Sequence, residues 1–191
     1  MSDPVLHVIV GPNGAGKTTF FERALQPVTH QLFVNADLIA AKKWPKDQAA
    51  RSYDAAQLAA AERSRLLQKR ESFITETVFS HESKLQLLRD ARAQGYLVTG
   101  HVVLIPEELA VARVPLRVTL GGHAVPEHKI RARYHRIWPN VVTAIGLVDE
   151  LTVYDNSRAR RPFRVVARFR DGKAVRPPDW PAWAPKELSS R

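Results

Sequence analysis

Apolar residues first cluster in VLHVIV, Val5 to Val10, a run short and β-branched enough to predict a fully buried strand. The stretch GPNGAGKTTF follows at once, and Lys17 to Leu25 predicts a helix stopped before Pro27. A second strand ends near Phe33 and Val34 and delivers Asn35-Ala36-Asp37 to a loop. From Asp47 to Arg70 the pattern is helical, with Ala56, Ala59, Ala60, Leu66 and Leu67 on an apolar face and charges on the other. SFITETV, within Glu71 to Val78, is a short strand, and Glu82 to Gln94 is a helix closed by Gly95. Tyr96 to Ile105 is apolar enough to be a central strand. Pro106-Glu107-Glu108 opens another helix, with proline in the first turn and acids at the positive end of the dipole; Pro115 is expected to kink or end it. Past a flexible break at Gly121 to His123, PEHKIRARYHRIW is a helix from Pro126 that docks through Ile130, Tyr134 and Ile137, and a further helix covers about 141–148. LTVYDNS adds a strand and turn, and PFRVVARFRDGKAV a hairpin around Asp171-Gly172. The proline-rich tail RPPDWPAWAPKELSSR wraps the surface or frays.

Strands alternating with helices from the first residues predict an α/β fold, a central, mostly parallel sheet covered by helices on both faces. A helical lid is expected over about 113–137, and a C-terminal hairpin and tail over about 160–191, all within a single domain of 191 residues. The 45% apolar and 25% charged composition is globular rather than disordered. The lack of cysteine excludes disulfides and thiolate metal sites. No apolar run approaches the roughly 20 residues of a membrane span, and no secretory leader is legible, so a cytoplasmic protein without a membrane partner is expected. A net charge of +10 favours an anionic partner, either nucleic acid or a phosphate-rich small molecule.

Gly11-Pro12-Asn13-Gly14-Ala15-Gly16-Lys17-Thr18 fills every fixed position of the phosphate-binding pattern G-x-x-x-x-G-K-[ST], and it sits between strand and helix as the mechanism requires. Its glycines let successive N–H groups turn inward, and the positive end of the following helix faces the same anion. Lys17 reaches the β- and γ-phosphates, the Thr18 hydroxyl is placed for Mg²⁺, and Thr19 for the α-phosphate. The fold is therefore expected to be a P-loop NTPase, three-layered and of kinase type, binding ATP or GTP. An ABC-type ATPase would carry a string such as LSGGQ, and a GTPase an Asn/Thr-Lys-x-Asp loop; neither occurs. The strands end in NADLIA and ITETVF, with single acids rather than the paired acids of an AAA-type or helicase motor. A small phosphotransferase remains.

In an open parallel sheet, ligands bind beyond the carboxyl ends of the strands. Asp37 would there face the γ-phosphate from the acceptor side and take the proton of an attacking hydroxyl; its alternative is to cap a helix starting at Leu38. Glu76 closes SFITE and is expected to serve Mg²⁺ through water or substrate hydroxyls, with Asn35, Thr77 and Ser80 completing a polar set for a polyhydroxylated substrate. On the basic helix, Lys129, Arg133 and Arg136 form one stripe, and His128, Arg131 and His135 the opposite one. Arg131, Arg133 and Arg136 are expected as lid cations that neutralise the transferred phosphoryl group, joined by Arg113 and Arg117; the alternative is a solvated basic face. Asn156, in Tyr154-Asp155-Asn156-Ser157-Arg158, is expected to touch the adenine or simply to turn the chain.

Together, GPNGAGKTT, NADLIA, ETVFSHESK, GGHAVPEHKIRARYHR and VYDNS resemble the small members of the zeta-toxin-like P-loop kinases, over roughly Val5 to Ser157. The resemblance implies a Mg²⁺- and ATP-dependent kinase whose acceptor is a small-molecule hydroxyl, that of UDP-N-acetylglucosamine or a related sugar nucleotide. It implies Lys17 and Thr18 as phosphate and metal residues, Asp37 as base, Glu76 as substrate ligand, and the arginines of 131–136 as the lid. This chain departs from the long toxins in being shorter and in carrying Thr77-Val78-Phe79-Ser80 where they have an arginine-containing acceptor motif. An antitoxin protein is a partner the resemblance allows and the residues do not call for. A second class is a nucleic-acid-binding NTPase or polynucleotide kinase, prompted by the charge; aromatics that are few and not interleaved with the basic stretch argue against a nucleic-acid partner. A third is a nucleotide-dependent interaction switch, in which Asp37 and the basic helix would lack a purpose.

Overall fold

The computed structural model describes residues 3–119 and 125–190. After β1 (Val5–Val10) the chain enters one helical stretch: α1 (Lys17–Phe20), a π turn (Phe21–Leu25) and α2 (Gln26–Thr29). The helix thus does not stop before Pro27. The looser π turn lies just ahead of the proline, whose missing N–H would break a regular ladder there. Then come β2 (Leu32–Val34), α3 (Ala36–Lys43), α4 (Ser52–Lys69), β3 (Phe73–Thr77), α5 (Ser83–Ala93) and β4 (Leu97–Leu104). The helix expected from Asp47 begins only at Ser52, because hydrogen bonds from Asp47 to Trp44 and from Ser52 to Ala49 make separate turns. Its buried line is Ala55, Ala59, Leu66 and Leu67, whereas Ala56 and Ala60 are exposed. Alanine marks a helical face weakly, since it is small and favours helix on any side.

Two more helices, α6 (Glu107–Thr119) and α7 (Glu127–Ile145), precede β5 (Glu150–Asp155), β6 (Arg164–Arg170), β7 (Lys173–Ala174) and α8 (Lys186–Ser189). α6 runs through Pro115, and the two helices expected around Pro139 are one. A proline inside a helix costs about 3 kcal/mol. Burying a large apolar side chain stabilises by roughly 1.5–3 kcal/mol, so Ile137, Trp138, Val141 and Ile145, all buried on α7, outweigh it.

The seven strands form one sheet in the order β2-β3-β1-β4-β5-β6-β7, parallel up to β5 and antiparallel beyond. Leu88 of α5 and Val141 and Ala144 of α7 pack with Val8, Val10, Val102 and Leu151 on one face. On the other face Phe20 of α1 meets His101 and Tyr154, at ring separations of 5.4 and 4.7 Å. Helices therefore cover both faces, and β1 and β4 lie in the interior. The C-terminal tail wraps: Asp179 donates its N–H to Val166, Trp180 and Trp183 lean on the core, and Leu188 is buried. No helix among the described residues is long and apolar enough to cross a membrane.

Candidate active site

The glycine loop leaves β1 at Gly11 and reaches α1 through Gly14 and Gly16, at φ 75° and 89°, a left-handed backbone that glycine adopts without strain. The sheet order sets β3 beside β1, with Glu76 level with Ile9, so the carboxylate emerges against the start of α1. Three donors converge on it. The Thr18 hydroxyl donates to Oε2 at 2.9 Å, Asn35 Nδ2 donates to the same oxygen at 3.0 Å, and Lys17 Nζ lies 3.7 Å from Oε1. Lys17 also donates to the Pro12 carbonyl at 3.1 Å and is 7% exposed, so its ammonium is held inside the loop. The Thr18 hydroxyl and the Glu76 carboxylate are hard oxygen ligands side by side, the donor chemistry that suits Mg²⁺.

Asn35, expected to meet substrate, is 5% exposed, and both ends of its amide are used. Its Oδ1 caps α3, accepting from the N–H groups of Asp37 at 2.7 Å and Leu38 at 3.2 Å, while its Nδ2 steadies Glu76. The cap is therefore Asn35 and not Asp37, whose side chain instead lines a cleft of about 320 Å³. Asn13, Lys17, Glu76, Lys129 and Arg133 share that cleft, with Ala49, Ser52, Val78, Val114, Val125 and Pro126 completing its wall. Thr77 and Ser80 are not among the lining residues: Thr77 Oγ1 accepts the N–H of Phe79 at 3.1 Å in a tight turn, and Ser80 is half-buried. Thr77 at the end of β3 thus serves the turn, while Thr75, within β3, donates across to the Val34 carbonyl of β2 at 3.0 Å.

The basic helix divides its cations. Arg133, with Lys129 one turn earlier, faces the cleft. Arg131 faces the start of α6, where it meets Glu108 at 2.6 Å, Glu127 at 2.8 Å and Glu107 at 3.3 Å; hydrogen bonds to Glu108, then Glu127, hold its guanidinium above the usual range. His135 approaches Glu107 at 3.2 Å on the same side. Arg136 is exposed and donates to the Ala132 carbonyl at 3.1 Å. Of the three expected lid arginines, the cleft therefore contains Arg133 alone. The side chain of Arg117 and the Gly121-Gly122-His123 break lie outside the described residues. Asn156 sits in the turn that was the second expectation for it, with the Ser157 N–H donating to Asp155 Oδ1 at 2.8 Å, and its Nδ2 donates to the Ala15 carbonyl at 2.8 Å; Arg113 donates to the carbonyls of Gly14 at 3.4 Å and Asn156 at 3.2 Å.

The loop, the acid beside it and the strands that carry them lie within residues 6–137, which match the AAA domain family AAA_33. The chain belongs to that family. It carries the AAA name although β3 ends here on the single acid Glu76, followed by threonine, and not on a motor's paired acids. A relative of this AAA domain, an uncharacterized protein from Haemophilus influenzae, is 27% identical over 125 residues, 65% of this chain and 88% of its own. Among solved structures the fold matches AvrRxo1-ORF1:-ORF2 with ATP at a TM-score of 0.70 and 14% identity, over 91% of this chain and 60% of that one. It matches the PezAT toxin–antitoxin system of Streptococcus pneumoniae at 0.61 and 14% identity, over 92% and 72%. It matches shikimate kinase from Acinetobacter baumannii, in complex with shikimate, at 0.52 and 18% identity, over 82% and 86%. The fold is that of P-loop kinases, and the chain spans under two thirds of the AvrRxo1 chain.

Proposed function

We propose that this AAA-family protein is a Mg²⁺- and ATP-dependent phosphotransferase that moves the γ-phosphoryl group of ATP to the hydroxyl of a small molecule, a UDP-amino-sugar such as UDP-N-acetylglucosamine or a related sugar nucleotide. The observation that carries the reading is the convergence of Lys17, Asp37, Glu76 and Arg133 on one cleft beside the glycine loop. ATP would lie with its phosphates over the loop and Lys17 on the β- and γ-oxygens. Thr18 and Glu76 would hold Mg²⁺, which when bound offsets phosphate charge. Asp37 takes the acceptor proton, the acceptor oxygen bonds to the γ-phosphorus, and the bond to the β–γ bridging oxygen breaks, releasing ADP. Arg133 and Lys129 balance the charge spread over the moving group. The ATP in the AvrRxo1 structure and the kinase name of the shikimate enzyme support the nucleotide and the reaction class by fold alone. The PezAT and AvrRxo1 structures are two-component, and a protein partner for this chain is compatible with that likeness.

Substituting Asp37→Asn tests the base. ATP affinity should stay within about twofold while transfer falls by roughly 10²–10⁴, the usual worth of a positioned base. Full transfer by the variant would sink the assignment.

A further inference from the structure

The residue at the tip of β5 holds the glycine loop. Asn156 is fixed by its backbone, whose N–H donates to the Leu104 carbonyl at 2.9 Å. Its amide Nδ2 donates to the Ala15 carbonyl at 2.8 Å. A peptide unit is planar and trans, so its C=O and N–H point in opposite directions. Drawing the Ala15 carbonyl outward to Asn156 therefore turns the Gly16 N–H toward the concave side of the loop, where phosphate oxygens bind. Arg113 grips the preceding carbonyl, that of Gly14, at 3.4 Å, and reaches the Asn156 carbonyl at 3.2 Å, so each brace steadies the other. The contact is tight: a Cβ on Gly16 would lie 2.7 Å from Asn156 Nδ2, and one on Gly14 would lie 3.0 Å from the Arg113 Cβ.

We propose that Asn156, braced by Arg113, is a positioning residue that locks the Ala15–Gly16 peptide of the glycine loop in the phosphate-binding orientation before nucleotide arrives. The N–H one residue back, that of Ala15, is already given to the Pro12 carbonyl at 3.2 Å. The lock acts on the polyphosphate and not on the base. The identity of the ligand rests on the phosphotransferase reading. A donor already aimed needs no reorganisation when the anion enters, which is why such a lock improves affinity. It also joins α6 to the glycine loop.

The test compares two ligands, Mg²⁺ with a non-hydrolysable ATP analogue and Mg²⁺ with inorganic tripolyphosphate, which has no base. Affinities are measured by calorimetry on the wild type, Asn156→Ala and Arg113→Lys, with the ligand-free unfolding midpoint of each. Asn156→Ala should weaken both ligands by the same factor, about tenfold, the worth of one well-placed hydrogen bond. Arg113→Lys, which keeps the charge but reaches one carbonyl, should weaken both by a smaller common factor; it decides the matter if Asn156→Ala does not fold. A loss confined to the ATP analogue would make Asn156 a base contact and overturn the proposal. Unchanged affinities with only a lower unfolding midpoint would overturn it too, leaving plain packing. Either result would spare the phosphotransferase reading, whereas a wild type that bound neither ligand would overturn both.

Discussion

At the residue scale, the site is a set of polar side chains whose neighbours decide their use. Glu76 shows it best, since one carboxylate organises the loop threonine, the loop lysine and the α3 cap through Asn35. Asn35→Ala should lower stability by about 1 kcal/mol through the lost cap, a shift of roughly 2–4 °C in the unfolding midpoint, and should also reduce transfer because Glu76 loses a donor. Asn35→Asp separates the two roles: it retains a capping oxygen but sets a second carboxylate against Glu76. Calorimetry on both, beside activity, checks this, and equal activity in wild type and Asn35→Asp would contradict the role given to the Asn35–Glu76 bond. Lys17, Thr18, Asp37 and Glu76 were legible because a strand, a glycine pattern and a strand-tip acid fix their place. The partners of Asn35, Thr77 and Asn156 were not legible, because a sequence shows that an amide or hydroxyl is near a site, but not which group already holds it.

At the element scale, α7 presents opposite faces to two different surroundings. Arg133 looks into the cleft, while Arg131 closes an ion cluster with Glu107, Glu108 and Glu127 that fastens α7 to α6. Arg133→Ala should cut transfer by roughly 10²–10³, the scale measured for a lost charge-stabilising donor. Arg131→Ala should leave the transfer rate near wild type and lower the unfolding midpoint slightly, since exposed ion pairs contribute little. The reverse ranking in a steady-state assay would contradict the division of faces. The stripes were visible in the spacing, but which one met the cleft was not, because that depends on where α6 lies. Pro27 predicts a stop and Pro115 a kink or stop, yet both, like Pro139, sit within a helical stretch. Proline's cost is local and visible in sequence, whereas the packing that outweighs it comes from distant residues.

At the scale of the whole molecule, the alternating strands and helices foretold a covered, mostly parallel sheet, but not that β3 would lie between β2 and β1, the arrangement that brings Glu76 to Thr18. The pairing of half-buried His7 with buried His101 beneath α1 was not legible either: His7 Nδ1 and His101 Nε2 lie 3.0 Å apart, and His101 Nδ1 is 3.4 Å from the Tyr154 hydroxyl. Burial, and then His7, pull His101 down to about 3, and burial lowers His7 as well. A histidine held neutral in the fold but free to protonate when unfolded gives stability that is complete above its ordinary value of 6.5 and is lost as pH falls from there toward 3. The loss should approach about 1.4 kcal/mol per pH unit for His101 alone, and His101→Asn should flatten urea-measured stability between those limits. An unchanged slope in the variant would contradict it. The most direct test of the whole account is transfer of label from γ-labelled ATP with Mg²⁺ to a panel of UDP-sugars, nucleosides and short oligonucleotides, run beside Lys17→Ala. The account predicts label on a UDP-amino-sugar hydroxyl with the wild type and none with the variant. Label released only to water, at a rate no acceptor changes, or transfer that survives the loss of Lys17, would contradict it.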